Sequence, residues 1–194
     1  MIILKKIIKE WGLIIALFGV LYFTGLHTEV AAFTQRIVLA TGLFTPGDDL
    51  IMESEAEDFD YNVTIQTPDG TDMHLSELKG KLIFLNLWAT WCAPCRAEMP
   101  GIQELYDELD HDNIAFVMLS IDRNPKAALQ YIEGKDFTYP LYLANGPLNA
   151  QLSVPSIPTT FVISPSGKII KKNVGMAKYN TKSFKNFLMQ NAGK

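Results

Sequence analysis

Cysteine is scarce in this chain of 194 residues, with only Cys92 and Cys95 present. Two thiols exclude a structural disulfide framework and a four-cysteine zinc site within one chain. Histidine is scarce too: His27 precedes the main domain, and His74 and His111 fall in a hairpin and a helix–strand loop, so none accompanies the cysteines. No excess of positive charge exists. The formal net charge is -4 and the pI near 5.4, which argues against nucleic acid as a partner. Internal repeats, low-complexity tracts and flavin or nicotinamide fingerprints are lacking, so no cofactor is expected.

A long run that is both uncharged and predominantly apolar is found only at the N-terminus. There Lys5, Lys6 and Lys9 precede Trp11–Leu26, 16 residues without a charge. A spanning helix needs roughly 17–25, and Ile7 and Ile8, beyond Lys9 and Glu10, could lengthen the apolar segment. Val30-Ala31-Ala32 offers small residues for a signal peptidase, yet the run exceeds an ordinary signal-peptide core. Anchor and cleaved signal stay open, and both imply export. We read 1–28 as a signal-anchor, single-pass in the cytoplasmic membrane, with the lysines inside and the rest on the periplasmic or extracytoplasmic side.

Residues 29–58 read as a membrane-proximal helix and an acidic linker. Phe33, Ile37, Ala40 and Phe44 recur at helical spacing, with Gln35, Arg36 and Thr41 elsewhere. Pro46-Gly47-Asp48-Asp49 breaks that pattern, and Glu53, Glu55, Glu57, Asp58 and Asp60 suggest a solvated connection.

The remaining 59–194 suffice for one core. Val63 and Ile65, then Met73 and Leu75, flank a turn with Pro68-Asp69-Gly70. Ser76–Gly80 reads as a helical turn ended by glycine. Buried strands are expected at Leu82–Trp88 and Ile114–Ile121, and helices after Cys92, with Pro100 inside, and over Pro125–Glu133. Their alternation predicts parallel pairing. Thr159–Ile163 and Lys168–Val174 flank the turn Ser164–Gly167, and Lys182–Met189 reads as a closing amphipathic helix. The fold class is therefore α/β.

Between the strand ending at Trp88 and the following helix lies Ala89-Thr90-Trp91-Cys92-Ala93-Pro94-Cys95-Arg96. Thiols two residues apart at such a turn close a small disulfide ring. The first sits where unpaired helix N–H groups stabilise an anion. Pro94 suits the first helical turn, where an absent N–H costs nothing.

Trp91-Cys92-Ala93-Pro94-Cys95, then Ser156-Ile157-Pro158-Thr159-Thr160-Phe161, then Gly167-Lys168 and Val174-Gly175 together resemble the thioredoxin superfamily. Within it, the chain resembles the membrane-anchored periplasmic reductases of the TlpA/ResA-like group, over about residues 60–191. The resemblance implies a thioredoxin-like fold, a central mixed sheet flanked by helices. It also implies a cis Pro158 beside the cysteines, whereas on the residues alone a trans proline is favoured, since only about 5–6% of X–Pro bonds are cis. Ile157 would then offer its backbone to an extended peptide, and Trp91 would form part of the docking surface, with a packed structural tryptophan as the alternative. Asn86 stands where thioredoxin carries a buried aspartate. Glu98 matches an acidic residue of the anchored reductases; it shares a helix face with Cys95 and is a candidate acid/base, or else a solvated early-helix glutamate.

A thiol-disulfide oxidoreductase follows: Cys92 attacks a disulfide in an exported protein, and Cys95 resolves the mixed disulfide. A membrane electron donor of the CcdA/DsbD kind would restore the dithiol. The helix N-terminus contributes about 0.3–1 kcal/mol, which lowers a thiol pKa of about 8.5 by roughly one unit, while a strong oxidant needs about five. Arg96 either contributes to that stabilisation or, as a neighbour in the helix, points to water; nothing in the spacer supplies the rest, so the chemistry favours a reductase, of the cytochrome c maturation type or a general one. Rival readings are a Cu(I)-handling module, a thiol peroxidase, whose Thr-x-x-Cys pattern fails at Ala89, and a non-catalytic binding domain. Substrate choice is expected from Asp122–Glu133 and Asn145–Pro155.

Overall fold

The computed structural model describes residues 2–24, 26–42, 44–46 and 55–193. The acidic linker from Gly47 through Glu53 lies outside the described residues.

The centre of the domain is β3 (Leu82–Trp88), buried at every position. A continuous apolar run of this length has no face to give to water, so it takes the middle of a sheet covered on both sides. It pairs in parallel with β4 (Ile114–Ser120), which pairs in parallel with β5 (Leu141–Ala144). On its other side β3 pairs antiparallel with β6 (Thr159–Ile163), and β6 with β7 (Ile169–Val174). The hairpin of β1 (Thr64–Gln66) and β2 (Asp72–His74) joins the edge at β5, giving the mixed order β2-β1-β5-β4-β3-β6-β7. The short β5 was not among the expected strands. Gly70 turns the first hairpin and Gly167 the last, each with a positive φ, 91° and 89°, that a side chain would strain.

Side chains alternate across β3. Leu82, Phe84 and Trp88 enter one core with Met99 and Ile102 of α3 (Ala93–Asp107), Ala128 of α4 (Pro125–Ile132) and Phe184 and Leu188 of α5 (Lys182–Ala192). Ile83, Leu85 and Leu87 enter the other, closed by Phe59, Val63, Leu152 and Leu75 of the 3-10 turn Leu75–Leu78. Within the described acidic stretch, Asp58 bridges to Lys168 and Ala56 and Phe59 are buried, so this part is laid against the β7 side of the domain.

Ahead of the domain run α1 (Ile2–Phe23) and α2 (Leu26–Ala40). Among the described residues no single helix is long and apolar enough to cross a membrane; Ile14–Phe23 and Thr28–Ala40 meet that requirement only together, and they are bent by 91°. α2 packs on α3, with Ala32 and Leu39 against Ala97. The apolar stripe expected to be its buried side faces outward instead: Phe33 and Ile37 remain 62% and 55% exposed, and Phe44 beyond the helix 45%. The docked face is the one carrying Glu29 and Arg36, held by their polar contacts together with Ala32 and Leu39.

Candidate active site

Cys92 caps α3, and its sulfur lies where the Cys95 N–H donates to it at 3.2 Å. Capping follows from the local sequence: Ala93-Pro94 opens a helix directly after an extended residue, and Pro94 needs no acceptor there. Cys92 and Cys95 are joined as a disulfide with Cα atoms 5.3 Å apart. Cys95 is sealed inside and Cys92 nearly so, whereas Trp91 beside them is 63% exposed. The alternative of a packed structural tryptophan therefore does not hold. The Ile157–Pro158 peptide is cis, and the Ile157 carbonyl oxygen lies 3.7 Å from the Cys92 sulfur, just before β6. The topology explains the meeting, because β3 and β6 are antiparallel neighbours and place the end of one beside the start of the other.

Glu98 is only 2% exposed, which overturns the solvated reading. Asn86 Nδ2 donates to its Oε1 at 2.8 Å, and the Ala177 N–H to its Oε2 at 3.1 Å. Burial outweighs these two bonds and pushes its pKa up from 4.5 to about 8. At neutral pH Glu98 is thus mostly a neutral acid, able to gain or lose a proton near that pH. Asn86 suits both states, since its amide donates to the carboxylate and, turned over, its carbonyl accepts from the acid. Asn86 also donates to Thr160 Oγ1, which accepts from the Tyr179 hydroxyl. Tyr179 is fully buried and its pKa lies well above 10, chiefly through desolvation. The carboxyl that thioredoxin carries on the strand position is supplied here from α3, opposite an asparagine.

Two further residues shape the site, and neither was singled out for this role. Asp122, just beyond β4, accepts from the Thr90 N–H at 3.2 and 3.0 Å and from the Thr90 hydroxyl at 2.8 Å, and Ser120 donates to it at 2.8 Å. It pins the turn that presents Trp91 and Cys92. A polar residue at the carboxyl end of a parallel strand, next to a reactive turn, was the available signal. Of the two readings of Arg96, the one in water does not hold: it is 7% exposed, ion-paired to Glu29 and hydrogen-bonded to Thr28, both on α2. Its guanidinium also lies over the Tyr131 ring at 4.7 Å and reaches the Thr90 carbonyl at 3.4 Å. Arg36 donates to the Arg96 carbonyl at 3.2 Å. Among the described residues no group of three or more His, Cys, Asp or Glu is placed to hold a metal ion.

The AhpC/TSA family matches residues 52–172. A thiol-disulfide oxidoreductase ResA from Oceanobacillus iheyensis is 37% identical over 115 residues, which span 59% of this chain and 60% of that protein. ResA from Bacillus cereus is 31% identical over 138 residues, 71% of this chain and 78% of that protein. Among solved structures, a thiol:disulfide interchange protein of the thioredoxin family from Chlorobium tepidum aligns with a TM-score of 0.58 at 26% identity, over 71% of this chain and 99% of that one. The dithiol at the mouth of α3, the neighbouring cis proline and these similarities agree: the chain belongs to the AhpC/TSA family of thioredoxin-like proteins, among its thiol-disulfide oxidoreductases.

Proposed function

We propose that this protein works in the reducing direction, outside the cytoplasmic membrane, on disulfides of exported proteins. The observation that carries the reading is the Cys92–Cys95 ring, capped by α3 and bordered by exposed Trp91 and cis Pro158. In the reduced form the Cys92 thiolate gives its electron pair to one sulfur of a substrate disulfide. The S–S bond breaks, the departing thiolate takes a proton, and a mixed disulfide remains. Cys95, deprotonated with Glu98 as the acid/base, then attacks the Cys92 sulfur and releases the second substrate thiol. The substrate gains two electrons and two protons, and the Cys92–Cys95 disulfide re-forms. A membrane electron donor of the CcdA/DsbD kind restores the dithiol.

Among the described residues, those beside Cys92 do not supply the large thiolate stabilisation that an oxidant requires. The spacer Ala93-Pro94 is uncharged, and Arg96 is already committed to Glu29. The helix N-terminus alone contributes on the order of 1 kcal/mol. Cytochrome c maturation or a general reducing role both fit this chemistry.

Export and anchoring rest on the lysines ahead of Trp11–Leu26. The exposed stripe Leu26, Val30, Phe33 and Ile37 on α2, like the exposed Trp11, Ile14, Leu17 and Phe23 of α1, suits a helix lying at a bilayer surface. A Cys95→Ser variant tests the proposal. It lacks the resolving thiol and should accumulate disulfide-linked exported proteins through Cys92; a variant that traps none, while remaining folded, would contradict it.

A further inference from the structure

Glu98 does not face a closed interior on every side. Together with Arg36 and Leu39 of α2, Gly101 and Glu104 of α3 and Lys178, it lines a cavity of about 240 Å³ between the two helices. One wall of the space next to the buried carboxyl is therefore supplied by a helix lying outside the sheet and its packed layers. That helix is held chiefly by polar contacts: Glu29 and Thr28 to Arg96, and Arg36 to the Arg96 carbonyl. Its apolar contribution is small, Ala32 and Leu39 against Ala97. These three contacts end on the residue immediately after Cys95, and Glu29 also lies 3.8 Å from the Lys135 ammonium.

We propose that α2 is a removable wall of the active site: the Glu29–Arg96 clasp holds it against α3, and in that position it keeps bulk water from Glu98 and so controls the proton exchange of that carboxyl. Glu29 is then a positioning residue, acting on Glu98 through the helix it anchors. The inference deepens the role given to Glu98 in the proposed function and rests on it.

The direction of the effect follows from the surroundings. Glu98 faces Asn86 from β3, the Ala177 N–H and Tyr179 from the segment after β7, and Tyr139 ahead of β5. The cavity adds Arg36 from α2, Glu104 from α3 and Lys178. Asn180 is already bonded to Glu104. Both tyrosines are buried, and their pKa values are raised above 10, so they stay neutral at the pH where Glu98 titrates. Departure of α2 admits water, which favours the carboxylate, because desolvation is the largest influence on this group. The net movement is toward an ordinary carboxyl, a better base and a poorer acid at neutral pH.

The test uses the full chain in detergent micelles, with the glutamate side-chain carboxyl carbons labelled for NMR and the Glu98 signal assigned by its loss in Glu98→Gln. The unmodified chain should titrate Glu98 with a midpoint near 8. In Glu29→Gln, amide exchange of α2 should accelerate while that of β3 does not, and the Glu98 midpoint should fall by one unit or more, a tenfold or greater loss of proton affinity. Leu39→Asp, which dislodges α2 without touching Arg96, should do the same. An α2 freed in either variant with the midpoint unmoved would overturn the proposal, as would an α2 that stays docked in both. A midpoint that falls as expected in a chain whose Cys95→Ser form traps no partner would leave the wall standing and remove the reductase reading.

Discussion

The α/β domain and α2 are held by opposite means. In the domain Phe84, with no exposed surface, meets Phe116, Tyr179 and Phe184 with ring centroids 4.9, 5.3 and 6.1 Å away. On α2 the large apolar residues Phe33 and Ile37 look outward, and attachment falls largely to Glu29, Thr28 and Arg36 around Arg96, with Ala32 and Leu39 as its small apolar part. Hydrophobic burial is cooperative and spread over many residues, so the domain behaves as a unit. A polar clasp is local, and one substitution is enough to release it. The difference places a fixed redox centre beside a detachable neighbour.

The largest effect expected comes from the carboxyl between the two regions. The folded pKa of Glu98, about 8, lies above its ordinary value of 4.5, so folding favours its protonated form. That contribution is fully present below about pH 4.5 and is lost as pH rises through 8, amounting to on the order of 5 kcal/mol. Denaturant unfolding between pH 4.5 and 8.5 should therefore show a decline in the unmodified chain that Glu98→Gln removes. Next, Phe84→Ala should cost about 3–5 kcal/mol of global stability in the same assay. An equally large global loss from an α2 substitution would erase the contrast between the regions.

Asp122→Ala leaves the Thr90 N–H and hydroxyl without their acceptor and should cost about 1–3 kcal/mol, with faster amide exchange at the turn carrying Trp91. The smallest effect belongs to Glu29→Gln. Glu29 is 45% exposed, so the pair is partly screened, and the change in global stability should stay below about 1 kcal/mol. It should appear instead as local exchange confined to α2, read by hydrogen exchange with mass spectrometry.

What the sequence made legible divides along the same line. Continuous apolar runs bounded by turn residues located β3, β4 and β6, and Asp-Gly and Ser-Gly turns located both hairpins, because these signals are local. The four-residue β5 escaped notice: it follows Pro140 and alternates buried with half-buried positions, too brief for a period to emerge. The dithiol was legible as a motif. The pairing of Asn86 with Glu98 was within reach by strand parity, since Leu82, Phe84, Asn86 and Trp88 alternate toward α3. The clasp was not, because Glu29 and Arg96 stand far apart in the chain and no spacing rule links them. For the same reason the apolar side of α2 was a poor guide to the face that docks.

The reduction potential of the Cys92–Cys95 pair tests the central claim most directly. Equilibration of the full chain against glutathione and dithiothreitol buffers, read by thiol alkylation, should give a value below about -200 mV, among the reducing members of the thioredoxin superfamily. A value near about -120 mV, that of a strong oxidant, would contradict the account.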